Sequence, residues 1–371
     1  MTSLSRFKTR LFAPVTHVPA ILADPYFPSL DGLRGVAILL VIFSHFGINH
    51  FLRPYHILVD SDTGVHIFFV LSGFLITTLL LKEKLRTGGI SLKRFYIRRT
   101  LRILPVAWLF LLVLIALNSW YGLKIPVINF VASFLFFKNL PLPNEPYTAH
   151  FWTLAVEEQF YLVFPLLLIF STNGYLITAL SIVILIPLLS VLGYYHAAWF
   201  GVNPVVHGIM KIVMYSFWKG PVIILIGSVF SIFLFKGIIV PKNTYFLSFI
   251  LLSIAIMISS KTFVFYSKYV SEYLSAIMIG YSILLTLDRK NLLSTILNNR
   301  ILIKVGILSY SLYIWQQLLI SDRAWQPWTL FMSNYPIWIL TFIKLAVTFL
   351  IAGASYYLVE SRFLRIKEKY K

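Results

Sequence analysis

Between residues 33 and 359 the chain is a succession of apolar runs, each close to the length a helix needs to cross a bilayer, and the loops between them are too short to build a large soluble domain. The runs lie near 33–50, 63–81, 103–121, 151–170, 176–194, 216–235, 244–260, 273–287, 305–320 and 336–359. This pattern predicts an all-α, polytopic membrane helix bundle of about ten transmembrane helices. An eleventh run, 125–137, is short, opens at Pro126 and ends in KNLPLPNEP, which reads as a re-entrant or interfacial segment.

Charge sets the expected orientation. With 125–137 not crossing and the N-terminus in the cytoplasm, 23 lysines and arginines fall on the inner side and eight on the outer, with Lys344 inside the last run. That asymmetry follows the positive-inside pattern and predicts that both termini are cytoplasmic. Residues 1–30 read as a cytoplasmic lead-in, because Arg6, Lys8 and Arg10 are followed by neither an apolar core nor a small-residue cleavage site. Residues 31–360 then form one membrane domain and 361–371 a basic cytoplasmic tail. Composition agrees with the class: 59% of residues are hydrophobic, 12% are charged, and the mean hydropathy is +0.83. The net charge of +19 sits in loops between apolar runs, which fits anionic lipid headgroups and a phosphorylated substrate better than nucleic acid. With no cysteine, thiolate catalysis and disulfides are excluded.

Ionisable groups inside apolar runs mark the places where chemistry is expected. Arg34 and His45 are eleven residues apart. On a helix that is about three turns, or roughly 16 Å, and it returns both side chains to nearly one face, with Ile38 and Val41 between them. The spacing puts a guanidinium at the mouth of a membrane helix and an imidazole halfway down it, as two ends of one tunnel. Of the thirteen acidic residues, only Glu157 and Glu158 lie well inside a run. A charge there costs on the order of 2.5–3.5 kcal/mol, so it needs a partner or a polar cavity. Neighbours on a helix point about 100° apart, so one glutamate is expected to face the site and the other a neighbouring helix. His66, near the outer end of the second run, reads equally as a hydrogen-bonding strut. Arg98, Arg99 and Arg102 cluster where the third run begins, and both orientation-setting charge and a clamp for the phosphates of a nucleotide-bearing donor fit them. No HExxH pair is present and no metal site is expected. The absence of GxxxxGK[ST], GxGxxG and GxSxG speaks against ATP hydrolysis, dinucleotide binding and a serine-hydrolase elbow.

At these residues the sequence resembles the acyltransferase 3 family of integral membrane O-acyltransferases. SLDGLRGVAILLVIFSH resembles the family's opening motif, whose arginine and histidine fall on Arg34 and His45. FFVLSGFLIT, Phe68 to Thr77, resembles the second-span motif, and the RxxR element falls on Arg99 and Arg102. FWTLAVEEQFYL resembles the motif that carries Glu157 and Glu158, and YYLVESRFLR the closing motif, with Glu360. GILSYSLYIWQQ resembles the late motif that ends in tryptophan and histidine, but Gln316 stands where that histidine is usual. A neutral amide cannot titrate near pH 7, so proton transfer is not assigned to position 316.

The resemblance implies transfer of an acyl group, acetyl above all, from cytoplasmic acyl-CoA to a hydroxyl of an extracytoplasmic or lipid-linked saccharide, at a bacterial cytoplasmic membrane. It implies acetyl-CoA or another acyl-CoA as donor, and membrane lipid and a saccharide acceptor as partners, with no nucleic acid. It gives catalytic roles to His45, Glu157 and Glu158, and its RxxR element adds Arg99 and Arg102 to Arg34 and Arg98, which the charge pattern already offers for donor binding. Substrate positioning falls to Asp31, Tyr161, Tyr310, Gln316 and Glu360. Read without the resemblance, the same polar residues also fit a transporter or flippase for a lipid-linked glycan or an anionic solute.

Overall fold

The computed structural model describes residues 3–52, 54, 59–195, 204, 220–239, 244–260, 270–288, 290–320 and 335–370. Among these residues there are helices and turns and no strand. In chain order the helices are α1 (Ser3–Phe12), α2 (Pro28–His45), α3 (Asn49–Leu52), α4 (Ser61–Thr87), α5 (Leu92–Tyr121), α6 (Val127–Phe134), α7 (Phe151–Phe170) and α8 (Thr172–Tyr195). They continue with α9 (Pro221–Phe235), α10 (Leu247–Ser259), α11 (Ser271–Thr286), α12 (Leu292–Leu297), α13 (Arg300–Ile307), α14 (Ser309–Ile320), α15 (Ile337–Ser355) and α16 (Ser361–Lys367).

Among the described residues six segments are long and apolar enough to cross a membrane: α2, α4, α5, α7, α8 and the stretch Trp338–Tyr370 that contains α15. Helices α9 and α10, at 15 and 13 residues, are equally apolar but shorter. The run expected to cross at 305–320 is divided between α13 and α14, and residues 216–219 of the run expected at 216–235 lie outside the described residues. The 125–137 run contains only the eight residues of α6. At 1.5 Å per residue that is about 12 Å, too short for a hydrocarbon core of about 30 Å.

Local chemistry sets the ends of the helices around the site. Pro28 opens α2, where its missing N–H costs nothing, and Asp31 sits in the first turn, where the helix dipole favours a carboxylate. Asp60 caps α4 by accepting from Asp62 N at 3.0 Å, and Ser91 caps α5 by accepting from Arg94 N at 3.4 Å. Helices α4 and α5 both stop at a glycine in the left-handed region, Gly88 (φ 76°) and Gly122 (φ 62°).

Helix α4 is the centre of the bundle, and its contacts show why the chain associates where lipid provides no hydrophobic drive between helices. A Cβ on Gly73 would lie 1.9 Å from the Ile224 carbonyl oxygen, and one on Gly227 would lie 2.0 Å from that of Val70, so α4 and α9 touch backbone to backbone. Hydroxyls secure the same crossing: Thr77 Oγ1 donates to Ser228 Oγ at 2.7 Å, and Thr78 Oγ1 lies 2.9 Å from Ser231 Oγ. Helix α2 packs as closely on α13, where Gly306 meets the Asp31 carbonyl. Five helices, α2, α4, α5, α7 and α14, are thereby arranged around one central space.

Candidate active site

That space is a narrow, partly open cavity. Helix α7 gives it Thr153, Leu154, Glu157 and Tyr161, and α4 gives Val65, Phe68, Phe69 and Ser72. Arg34 from α2, Arg99, Arg102 and Ile103 from α5, and Ser309, Tyr310 and Tyr313 from α14 complete the wall. The two adjacent glutamates separate as helical geometry requires. Glu157 lines the cavity and its Oε1 accepts from Ser72 Oγ at 2.9 Å. Glu158 is off the cavity wall, and its Oε1 is buried without a hydrogen-bond partner. The third polar residue of this motif, Gln159, joins neither: it exchanges hydrogen bonds with Asn139 at 3.1 and 2.9 Å and folds the preceding loop onto α7.

The arginine end is held by compensation. Arg34 Nη1 lies 3.2 Å from Asp31 Oδ1, one turn away on the same helix, so Asp31 aims the guanidinium without itself lining the cavity. Arg99 lies over the Tyr161 ring at 5.3 Å from its centroid and over the Phe95 ring at 5.7 Å. Arg98 Nη2 is 3.0 Å from buried Glu83 Oε2, and Arg98 Nη1 donates to the Tyr370 carbonyl at 2.8 Å. A second, larger space adjoins this end and carries Lys82, Arg86, Arg98 and Lys367 on its wall. It shares Arg99 and Arg102 with the first cavity.

The opposite end departs from the expectation of an imidazole halfway down a span. His45 is the last residue of α2, exposed, and not on the cavity wall. Nor is the Arg34 to His45 stripe the wall of a tunnel, since Ile38 and Val41 between them are fully buried in helix contacts. The cause is again small-residue packing: a Cβ on Gly64 would fall 2.4 Å from the Ala37 carbonyl and 2.7 Å from Val41 Cγ2, so α4 closes on this face of α2. The charged neighbours of His45 are Asp60 and Asp62, and its polar neighbour is Gln316, which is fully buried. His150, just before α7, is 4% exposed and within electrostatic reach of His45. Burial first, and then the charge of His45, push its imidazole down to about 3, so the ring is neutral. A knot of hydroxyls on the cavity wall borders these groups: Thr153 Oγ1 and Tyr313 OH are 2.7 Å apart and lie 3.0 and 3.2 Å from the His150 carbonyl oxygen.

The remaining expected residues have defined places. Tyr310 lines the cavity and donates to the Ile103 carbonyl at 2.6 Å, tying α14 to α5. Glu360 is buried off the cavity, on a π-helical turn, Tyr356–Glu360, that joins α15 to α16, and accepts from Ser311 Oγ at 2.6 Å. His66 is buried with its Nε2 4.0 Å from Glu272 Oε2. Among the described residues no three potential metal-ligating side chains gather. Sequence reasoning missed Ser72, His150, Thr153 and Tyr313. Helical periodicity carried a signal for two of them: His150 is seven residues before Glu157 and eleven before Tyr161, on the same face, and Tyr313 is three before Gln316.

Known proteins resemble this chain along most of its length. A Staphylococcus aureus (strain COL) protein with a provisional O-acetyltransferase name is 29% identical over 387 residues, covering 91% of this chain and 57% of its own. The peptidoglycan O-acetyltransferase OatA of Listeria monocytogenes serovar 1/2a is 28% identical over 367 residues, covering 91% of this chain and 55% of its own. The O-acetyltransferase OatA of Staphylococcus aureus (strain NCTC 8325 / PS 47) is 25% identical over 370 residues, with 91% and 57% covered. The chain thus spans little more than half the length of these relatives. No solved structure matches it. The acyltransferase 3 family, described as an acyltransferase domain, matches residues 27–357, a stretch that takes in every helix from α2 to α15 and the whole wall of the central cavity, and this integral membrane chain belongs to that family.

Proposed function

We propose that the chain moves an acetyl group from acetyl-CoA on the cytoplasmic side to a hydroxyl of a saccharide presented on the other side of the membrane. The observation that carries this reading is the sharing of Arg99 and Arg102 by a basic vestibule and the central cavity. A nucleotide with several phosphate oxygens suits the vestibule, where Lys82, Arg86 and Lys367 add cations and Arg102 and Arg34 stand at the inner opening. The narrow pantetheine arm then passes Arg99 into the cavity, where Glu157, Ser72 and Tyr161 offer hydrogen-bonding groups to its amides. Its thioester comes to rest toward Thr153 and Tyr313.

His45 acts as general base at the open end of α2, where an acceptor hydroxyl has access. The negative field for its imidazolium comes from Asp60 and Asp62 in this reading, in place of Glu157, which belongs to the donor arm. The relatives' names support the acetyl group, and the Listeria protein's name makes peptidoglycan strands the first acceptor to try. The test is transfer of radiolabel from acetyl-CoA into cell-surface polysaccharide by membranes with and without the protein, followed by mass spectrometry of surface glycans from a deletion strain. Loss of an acetyl ester in that strain would name the acceptor. Label that never leaves acetyl-CoA, with glycan export impaired instead, would replace the reading with transport.

A further inference from the structure

We infer that His150 and Gln316 form a neutral hydrogen-bonding pair that holds the carbonyl oxygen of the acyl group while His45 acts on the acceptor hydroxyl. The inference rests on the acyl-transfer reading above and gives two residues a place in it. His150 is 4% exposed with neither ring nitrogen hydrogen-bonded, and Gln316 is fully buried, its amide facing His45 without a close hydrogen bond. An unsatisfied buried polar group costs about 1–3 kcal/mol, and native proteins keep few of them. Gln316 is the polar neighbour of His45, and His150 lies within its electrostatic reach. An apolar side chain of similar shape would fill either position without that cost, so the pair makes sense as hydrogen-bonding groups awaiting a guest.

Position and surroundings define the guest. His150 is one turn before Thr153 and Leu154, and Gln316 one turn after Tyr313, so both stand just beyond the end of the cavity wall on the His45 side. Phe110, Phe151 and Tyr313 surround the His150 ring edge-to-face, at centroid distances of 5.3, 4.8 and 5.7 Å, and fix its plane. A rigid N–H donor in such apolar surroundings stabilises oxygen charge that develops during reaction far better than it would in water. The step balances as follows. The acceptor hydroxyl gives its proton to His45, and its oxygen adds to the thioester carbonyl carbon. The carbonyl electron pair moves onto oxygen and is held by the His150 ring N–H and the Gln316 amide N–H. As the carbonyl reforms, the carbon–sulfur bond breaks and the CoA thiolate takes the proton from His45.

The test uses the full chain in proteoliposomes with acetyl-CoA and peptidoglycan strands. Because the chain has no cysteine, a thiol reagent reads CoA release directly, and mass spectrometry reads the ester formed. His150→Phe and Gln316→Leu should each lower kcat by about 10²–10³-fold while KM for acetyl-CoA stays within about threefold and the pH profile keeps its shape. His150→Gln, which keeps an N–H donor, should recover about tenfold of the loss. A His150→Phe enzyme within about threefold of wild-type kcat would overturn the inference, as would a His150→Gln enzyme no better than His150→Phe. Thermal melting in detergent checks folding, and should His150→Phe fail to fold, Gln316→Leu and His150→Gln decide the matter by the same criteria. No transfer by the wild-type protein would remove the acyl-transfer reading and this inference together, whereas equal transfer by wild type and variants removes this inference alone.

Discussion

At the Arg34 end of the cavity, cations lean on compensating groups: Arg34 on Asp31, Arg98 on Glu83, Arg99 on the rings of Tyr161 and Phe95. At the His45 end, His150 and Gln316 are neutral and more deeply buried, 4% and 0% exposed against 21% and 20% for the Arg34 and Arg98 side chains, and neither makes a close hydrogen bond. The difference follows from what each kind of group costs in the absence of substrate. A desolvated charge without compensation costs several kcal/mol, so a donor-binding arginine has to be partnered at all times and can exchange that partner for phosphate. A neutral donor costs only about 1–3 kcal/mol when left unpaired, so it can remain empty between turnovers. Under the proposed acyl-transfer reading, this contrast suits one end to binding and the other to reaction.

Four substitutions would break or sharpen that contrast. The largest effect is expected from His45→Ala, which should lower label transfer from acetyl-CoA by about 10³-fold or more with expression intact; retained activity would leave the reacting end without its base. Arg102→Leu should raise KM for acetyl-CoA by about 10–100-fold with a smaller change in kcat, as loss of a charge-assisted hydrogen bond implies, and added salt should weaken the wild type in the same sense. A fall in kcat at constant KM would instead put chemistry at the arginine end. Arg98→Ala, which leaves buried Glu83 to Arg94 and the Ser91 backbone N–H, should destabilise the fold by about 1 kcal/mol, read as a lower melting temperature, with a lesser effect on donor affinity than Arg102→Leu. Smallest is Glu158→Gln: an amide in place of a carboxyl whose Oε1 is buried and unpartnered should melt at the wild-type temperature or slightly above it. A clear drop would mean that Glu158, like Glu157, is engaged in the folded protein.

Much of the site was legible in the residues. Arg34, Arg99, Arg102, Glu157, Tyr161 and Tyr310 all line the cavity, and the 100° rule anticipated that the paired glutamates would part. What misled was the stripe from Arg34 to His45. Periodicity correctly shows that Arg34, Ile38, Val41 and His45 share a face, but not what that face meets, and close approach of α4 at Gly64 filled it. His150 escaped notice for a related reason. A single histidine followed by phenylalanine and tryptophan reads as part of a span's aromatic edge, and only the fold brings His45 and Gln316 to it from helices 100 or more residues away. Arg98 shows the converse: its sequence fits orientation-setting charge and a phosphate clamp alike, and only the structure shows that it pairs with Glu83.

Hydropathy alone determined that the chain is helical and belongs in lipid, because in hydrocarbon the apolar runs must pair their own backbone groups along each segment. The charge pattern and motifs also located which residues could meet an anionic donor. Only the tertiary structure decided which glutamate and which arginines share a cavity, that α4, α7 and α14 and not one face of α2 form most of its wall, and that a second histidine stands beside the first. The physical reason is that a helix's own sequence sets the direction of its side chains, whereas the neighbour each face meets depends on where small residues let other helices approach.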